Sequence, residues 1–257
     1  MRDVKYLRGK SALLTVMVQA DNPERVEQLV DLALPQGAEA FGMQFCRMKP
    51  EYQNEQTYRR LFKRAAGLQI YATYYRQGYN EGKSDDELAA GLLTLAECGA
   101  DLVDITADMF DKCEGEFSTD PVAVERQMRL IDDIHNKGAE VIMSSHVLKF
   151  LPAERVIEIA REHERRGADI CKIVLWSQNT AQQAEILRIT DMLKNEIGIP
   201  YLILSGGESL LVRRVGCAFG SCTYLCVYEH DELSTKSQPT LADAKAIRSL
   251  LNNPIKG

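Results

Sequence analysis

Short apolar runs alternate along the chain with longer segments that have one apolar and one polar face. This alternation predicts buried strands, each followed by an amphipathic helix. We predict eight strands, at Ala12–Val18, Ala38–Phe45, Gln69–Tyr74, Leu102–Ile105, Glu140–Ser145, Ile170–Leu175, Tyr201–Leu204 and Cys222–Tyr228. The predicted helices are Pro23–Leu34, Glu55–Ala66, Asp85–Cys98, Pro121–Lys137, Ala153–Arg166, Ala181–Glu196, Ser209–Ala218 and Leu241–Leu251.

The ends of these segments carry the residues that begin and end helices. Gly99, Gly138 and Gly167 each follow a predicted helix and precede a strand, as a glycine in a left-handed cap does. Capping residues, early acids or an early proline stand at helix starts, as in Asn22-Pro23 and Ser84-Asp85. The boundaries therefore agree with the apolar pattern.

Eight strand–helix units in a chain of 257 residues predict a (β/α)₈ barrel. A doubly wound sheet is the alternative, but it usually has fewer strands and often a glycine-rich turn after the first strand. The first turn here is Gln19-Ala20-Asp21-Asn22. Since no linker divides the chain, we predict a single α/β domain over residues 1–257, with residues 1–11 as a short cap over the barrel floor.

Composition narrows the range of partners and compartments. The chain is 45% apolar and 26% charged, with a net charge of −6, which disfavours nucleic acid or an anionic membrane as partner. No stretch reaches the roughly 18 apolar residues of a membrane span, and the N-terminal residues do not resemble a signal peptide. Seven cysteines, mostly in apolar segments, favour reduced thiols and a cytoplasmic protein.

Lys172 lies in the middle of the apolar run Ile170–Leu175. A buried ammonium without a partner is costly, so such a lysine tends to lose its proton, and a neutral amine can form a Schiff base with a carbonyl. Two simpler interpretations are a lysine that reaches solvent at a strand end and a lysine paired with a buried acid.

Other polar residues occur where predicted strands end, which is where barrels carry their chemistry. His146 closes the strand beside the one that bears Lys172, so its imidazole could move protons next to an imine. We expect His135, His163 and His230 to lie on the solvated surface.

Two features after strand 7 suit anions. Of Arg213 and Arg214, one should face the barrel top and the other solvent, and an arginine there could hold a carboxylate. The turn Gly206-Gly207 offers backbone N–H groups at a helix start. Cys222 and Cys226 have no second pair at zinc-like spacing, so we predict packing roles for them, no metal site and no cofactor.

Several motifs together resemble the type I 3-dehydroquinate dehydratases, which are α/β-barrel lyases acting through a lysine Schiff base. The resemblance spans nearly the whole chain in element order. Its sharpest segments are Ser144-Ser145-His146, Gly167–Ile173, Arg213 followed by Phe219-Gly220-Ser221, and Ser234-Thr235-Lys236-Ser237-Gln238. The second and fourth are similar to the family's G-A-D-I-P-K-I and S-A-P-G-Q patterns.

The resemblance implies a role for each matching residue. Lys172 would form the imine with the ketone, and His146 would take the proton from the neighbouring carbon and later protonate the leaving hydroxyl. Arg213 and Gln238 would bind the carboxylate, and Ser234 would belong to a closing loop. Arg76 matches the family's arginine after strand 3. The resemblance also implies a small-molecule substrate, a homodimer and a step of the shikimate pathway of aromatic amino acid biosynthesis.

After strand 2, the chain departs from the family's E-W-R-x-D pattern, whose acid and arginine hold substrate hydroxyls. Gln44 replaces the glutamate, and we predict that it binds the substrate from this position. Cys46 replaces the arginine and Met48 the aspartate, while Arg47 should point the other way. Val147 stands where the family has an acid after the histidine, and Cys171 stands where it has a proline before the lysine. We therefore predict dehydration of 3-dehydroquinate or of a related carboxylated hydroxy-ketone.

Two other functions fit the same residues. One is a class I aldolase-like lyase that uses Lys172 to cleave a phosphorylated sugar bound at Gly206-Gly207. The other is a non-catalytic barrel that binds a metabolite, which the altered strand 2 motif suggests.

Overall fold

A computed structural model describes residues 3–252 and shows a nearly closed barrel of eight parallel strands. The strands are hydrogen-bonded in the order β7-β6-β5-β4-β3-β2-β1-β8, and the Cys222 amide donates to the Tyr201 carbonyl at 2.8 Å where the two ends meet. The predicted (β/α)₈ barrel is confirmed. The strands are β1 Leu13–Val18, β2 Ala40–Gln44, β3 Gln69–Thr73, β4 Leu102–Thr106, β5 Glu140–His146, β6 Ile170–Ser177, β7 Tyr201–Gly207 and β8 Thr223–Cys226.

Each strand is followed by a helix that covers the outside of the barrel. The helix after β7 is shorter than predicted, because the chain tightens into a 3₁₀ turn at Gly216–Phe219 and Gly220 then takes a left-handed conformation (φ +117°). The helices are α1 Pro23–Ala33, α2 Glu55–Arg64, α3 Asp85–Glu97, α4 Pro121–Asn136, α5 Ala153–Arg165, α6 Thr180–Met192, α7 Leu211–Val215 and α8 Leu241–Asn252. None of these helices combines the length and the apolar character that crossing a bilayer requires.

Alternation along each strand divides the apolar residues into two cores. One core lies between the sheet and the helices, and the other fills the barrel itself, where Met17, Tyr71 and Ile170 belong to a single cluster. Gly42 leaves room in this interior for the end of the Met17 side chain, which a Cβ atom there would displace. Inward positions are thus packed at the bottom and middle of the barrel.

Residues 4–7 fold across the floor of the barrel. Tyr6 is buried in the interior cluster, and its hydroxyl bonds to Thr15 Oγ1 at 2.8 Å. Its ring packs edge-on against Tyr71 with the centroids 6.4 Å apart. The backbone N–H groups of Lys5 and Tyr6 both donate to the Glu140 carboxylate at 2.8 Å, at the start of β5. This segment therefore keeps water out of the barrel interior at the end where the strands begin.

The prediction that His163 lies on the surface is wrong. His163 belongs to α5, and its side chain is completely buried between this helix and the sheet, where Nε2 lies 3.0 Å from Ser145 Oγ and Nδ1 lies 3.4 Å from Cys171 Sγ. Burial and the nearby Arg166 charge lower the pKa of His163 to about 3. His135 is partly exposed, and its Nε2 lies within hydrogen-bond distance of Asp169 Oδ2, at 2.7 Å. His230 is exposed, as predicted.

Because His163 stays neutral in the folded state but takes up a proton near its ordinary pKa of about 6.5 when unfolded, acid should destabilise the fold through this group. We expect the free energy of unfolding to fall as the pH drops from about 6.5 towards 3, by at most about 1.4 kcal/mol per pH unit from His163. Denaturant unfolding of the wild type at several pH values in this interval would measure the slope.

The variant His163→Gln should lose this part of the slope, and His230→Gln should keep it. An unchanged pH dependence in His163→Gln would contradict the assignment.

Candidate active site

A cavity of about 220 Å³ opens at the end of the barrel where the strands terminate. Five of the residues predicted for the site line it: Lys172, His146, Gln44, Arg213 and Gln238. Lys172 lies on β6 and pairs in register with Ser144 of β5, so His146 stands two positions further along the neighbouring strand. The structure therefore brings the predicted amine, imidazole and carboxylate-binding residues together.

Lys172 is buried, with 4% of the residue exposed, but its surroundings are not apolar. Its Nζ lies 3.0 Å from Asp104 Oδ2 and donates to the hydroxyls of Tyr71 at 3.1 Å and Tyr75 at 2.8 Å. The expectation that Lys172 is buried without a partner is therefore wrong. The structure shows the alternative, a lysine paired with a buried acid. The three acceptors match the three N–H donors of an ammonium.

Asp104 is the fixed negative charge of this cluster. Burial raises the pKa of its carboxyl, but the Lys172 charge and hydrogen bonds from Ser144, Tyr71 and Tyr75 outweigh burial and hold the pKa below its usual value. Burial and the Asp104 charge raise the pKa of both tyrosines well above 10, so both remain neutral phenols. The carboxylate consequently places a negative charge 3.0 Å from the Lys172 nitrogen.

A carboxylate from another part of the chain holds His146. The Glu116 side chain, in the loop between β4 and α4, lies 2.6 Å from Nδ1 of the imidazole. Ser145 donates to the Glu116 backbone carbonyl at 2.9 Å, which anchors this loop to β5. The ring also packs edge-on against Tyr75, with the centroids 5.3 Å apart. With Nδ1 engaged, the other ring nitrogen is left to act on a ligand.

Arg213 is a cation without a carboxylate partner among the described residues. Its Nε donates to the Ser205 carbonyl at 3.0 Å, and burial lowers the pKa of the guanidinium to about 10. In the same cavity, the side-chain oxygen Oε1 of Gln238 is buried without a hydrogen-bond partner. Arg214 is exposed, as the sequence predicted for one of the pair. Such a cation suits a carboxylate bound by charge-assisted hydrogen bonds.

Neutral groups form the wall on the β1–β2 side of the cavity. Gln19 bonds through its side chain to Gln44 and to Thr235 Oγ1, the latter at 3.0 Å. Cys46 is buried, and Arg47 does not line this cavity. Carboxamides and a hydroxyl therefore line this side of the cavity.

Two predicted substrate-binding residues lie outside this cavity. Ser234 donates its hydroxyl to the Asp231 carbonyl at 2.9 Å, and the neighbouring Thr235 lines the cavity instead. Arg76 is turned away, because successive residues of an extended segment point to opposite sides and Tyr75 takes the inward position. Its guanidinium binds Asp85 and Asp108 at 2.6 and 2.7 Å.

Four residues of the site were not predicted: Asp104, Tyr71, Tyr75 and Glu116. The signal for Asp104 was present, because an acid inside the apolar run Leu102–Thr106 is as unusual as a lysine inside β6. Glu116 lies in a loop without periodicity, so only the folded chain reveals its contact. Within residues 3–252, no group of three or more His, Cys, Asp or Glu side chains is arranged to hold a metal ion.

Two curated proteins show what this sequence is similar to. The curated 3-dehydroquinate dehydratase of Syntrophotalea carbinolica is 30% identical over 182 residues, covering 69% of this chain and 66% of the relative. That of Geobacillus thermodenitrificans is 28% identical over 116 residues, 44% of each chain. These matches span less than two thirds of the length of either relative.

The crystal structure of 3-dehydroquinate dehydratase from Geobacillus kaustophilus superposes with a TM-score of 0.80 at 18% identity, over 95% of this chain and 91% of that one. This likeness shows the shared fold. A family model described as type I 3-dehydroquinase matches residues 16–254, which is nearly the whole chain. The chain therefore belongs to the type I 3-dehydroquinase family.

Proposed function

We propose that this protein is a Schiff-base hydro-lyase that dehydrates 3-dehydroquinate, or a closely related carboxylated hydroxy-ketone, through an imine at Lys172. The observation that carries the proposal is the buried Lys172 nitrogen in a cavity that also holds His146 and the unpaired cation Arg213. Family membership supports the same chemistry. The product would be a conjugated enone such as 3-dehydroshikimate, in the shikimate pathway.

The ion pair with Asp104 is compatible with imine formation because the charge balances. An ammonium and a ketone become an iminium and a water molecule, so one positive charge is present before and after. Two N–H protons leave with the carbonyl oxygen as water. The Asp104 carboxylate, 3.0 Å from Nζ, can therefore stabilise the resting ammonium and the iminium alike.

His146 would carry out the proton transfers of elimination. The iminium withdraws electrons from the neighbouring carbon, so the imidazole can remove a proton there and leave an enamine. The enamine then expels the hydroxyl on the next carbon, which takes a proton from the imidazolium and leaves as water. Hydrolysis of the remaining imine releases the enone and restores Lys172. Glu116 would keep the imidazole aligned through its contact with Nδ1.

Arg213 and Gln238 would fix the carboxylate of the substrate, and the neutral wall would contact its hydroxyl groups. A hydrogen bond from a substrate hydroxyl to a carboxamide or a phenol contributes less binding free energy than one to a charged side chain. We therefore expect a wider tolerance for the hydroxyl pattern of the substrate than for its carboxylate. Gln44 is the residue of this wall that takes the place of the family's glutamate.

The two alternatives find less support. Gly206 and Gly207 belong to β7 and do not line the Lys172 cavity, so the phosphate site of an aldolase has no counterpart there. The non-catalytic alternative rested on the altered strand 2 motif, whereas the amine, imidazole and guanidinium are all assembled.

We also propose a cytoplasmic homodimer. The seven cysteines form no disulfides, which suits a reducing compartment. The dimer rests on the resemblance to the family.

Removal of the amine should abolish imine formation. With 3-dehydroquinate and borohydride, the wild type should gain the mass of one reduced adduct. Lys172→Ala should gain none and form no enone by ultraviolet absorbance, because no other lysine among the described residues lines the cavity. Lys149→Ala, a surface variant, should behave as the wild type. Ligand-induced thermal shifts without adduct or turnover would favour the non-catalytic barrel.

Truncation of the carboxylate-binding cation should weaken substrate binding. Arg213→Ala should lose on the order of 2–5 kcal/mol of binding free energy, seen mainly as a raised KM, because the substrate carboxylate is left without its charged partner. The exposed neighbour provides the control, so Arg214→Ala should keep the wild-type KM. Equal KM values for the two variants would refute the role of Arg213.

Neutralisation of the acid beside the imidazole should slow the chemical step. Glu116→Gln should lower kcat by about 10–100-fold with little change in KM, because Glu116 touches His146 and not the cavity around Lys172. Glu114→Gln, in the same loop but paired with Lys149 on the surface, should leave kcat unchanged. Equal kcat values for the two variants would count against the His146–Glu116 pair.

A further inference from the structure

Tyr75 touches both charges of the buried pair. Its hydroxyl accepts a hydrogen bond from Lys172 Nζ at 2.8 Å and donates one to the Asp104 carboxylate. Its ring packs edge-on against His146 and lines the Lys172 cavity. Imine formation requires two protons to pass from Nζ to the carbonyl oxygen of the substrate. A group that contacts Nζ and also faces the substrate is therefore needed to carry them.

Among the described residues, Nζ has hydrogen bonds to three groups, and two of them are unsuited to carry these protons. Although burial raises the pKa of Asp104, the Lys172 charge outweighs burial and keeps the pKa below its usual value, so this carboxylate is a poor proton acceptor. Tyr71 lies on the floor side of the nitrogen, since its ring packs against Tyr6 and only 2% of the residue is exposed. The third group is the hydroxyl of Tyr75.

Tyr75 approaches Nζ from the side where the substrate enters. Thr73 of β3 pairs in register with Asp104. Tyr71 stands two positions nearer the floor and Tyr75 two positions nearer the mouth, and both point inward. Unlike Tyr71, Tyr75 is only half-buried. Its hydroxyl is therefore the partner of Nζ that a bound ketone can also contact.

We propose that Tyr75 is a catalytic residue that relays protons between Lys172 Nζ and the carbonyl oxygen of the substrate, both when the imine forms and when it is hydrolysed. This role rests on the imine chemistry proposed above and leaves elimination to His146. Once Nζ attacks the carbonyl carbon, the carbonyl oxygen is only two bonds away from it. A hydroxyl within hydrogen-bond reach of Nζ on the substrate side can therefore reach that oxygen as well.

The relay moves two protons in two steps. In the first, an Nζ proton passes to the phenol oxygen while the phenol proton passes to the ketone oxygen, and the electron pair freed on Nζ bonds to the carbonyl carbon. The product is a carbinolamine whose nitrogen carries the positive charge. In the second, another Nζ proton takes the same path to the new hydroxyl, the carbon–oxygen bond breaks, and water leaves as the nitrogen electron pair forms the C=N bond. The iminium keeps one N–H beside Asp104, and the phenol ends as it began.

A neutral phenol suits this task in a buried position. Burial and the Asp104 charge raise the pKa of Tyr75 well above 10, so a phenolate here is costly. In the relay the phenol takes up one proton as it gives away another, and it never has to carry a charge. Phenylalanine at this position would keep the ring and its contact with His146 and would remove only the hydroxyl.

The rate of borohydride trapping at Lys172 tests the relay. 3-Dehydroquinate is mixed with enzyme at borohydride concentrations above which the rate no longer changes, and the adduct is followed by quenched-flow mass spectrometry. Tyr75→Phe should lower the maximal trapping rate about 100-fold, with little change in the half-saturating substrate concentration. Tyr79→Phe, which alters an exposed tyrosine in the same loop after β3, should trap at the wild-type rate. Equal rates in these two variants would overturn the proposal.

Two further comparisons separate the relay from other roles of the hydroxyl. Tyr71→Phe should slow trapping less than Tyr75→Phe does, and equal losses would assign the effect to the shared hydrogen-bond cluster and overturn the relay. If Tyr75 acted only by setting the protonation of Lys172, the trapping rate of Tyr75→Phe would return to the wild-type rate as the pH is raised. Loss of the relay should instead persist at each pH, because the carbinolamine still lacks its proton donor.

The outcomes distinguish the relay from the imine itself. Melting temperatures confirm that each variant is folded. A wild type that forms no adduct would refute the imine and the relay together. Adduct formation at equal rates in the wild type and in Tyr75→Phe would refute the relay and leave the imine at Lys172 in place.

Discussion

Lys172 and Asp104 face each other inside the barrel from β6 and β4, with β5 between them. Opposite charges in a low-dielectric interior interact strongly, and either one alone would be expensive to bury. The strands must therefore hold these side chains at a fixed separation, and Ser144 of the intervening strand contributes a hydrogen bond to the same carboxylate. The tyrosines, the imidazole and the packed floor are arranged around this pair.

The position of each polar group depends on strand parity. Inward positions on β4, β5 and β6 carry Asp104, Ser144 and Lys172, while their neighbours along the chain face the helices. A shift of one residue consequently turns a side chain out of the site. Arg76 points away from the site in this way beside Tyr75, and its guanidinium binds Asp85 and Asp108 instead. The side of the cavity formed by β1, β2 and β3 therefore presents amide and phenol groups.

Much of the barrel could be predicted because local signals agree with one another. Glycines after helices, capping residues before them and apolar runs of strand length all mark the same boundaries. Lys172 and His146 stood out because a polar residue in or at the end of such a run is rare. The partners of these residues were harder to predict, since Tyr71, Tyr75 and Glu116 reach the site from distant segments. His163 misled the sequence interpretation because charged neighbours on a helix do not reveal which side of it faces inward.

The short segment before β1 has a consequence for how the protein can be handled. Tyr6 supports Tyr71 from below, and Tyr71 in turn contacts the Lys172 nitrogen. Shortening this segment in an expression vector would open a channel for solvent from the far end of the barrel, about the length of the strands away from the mouth. Water entering there would hydrate the charged pair and loosen its geometry, although every residue at the mouth remained intact. The packing at the base of the barrel therefore helps to set the geometry of the Lys172–Asp104 pair, as the residues at the mouth do.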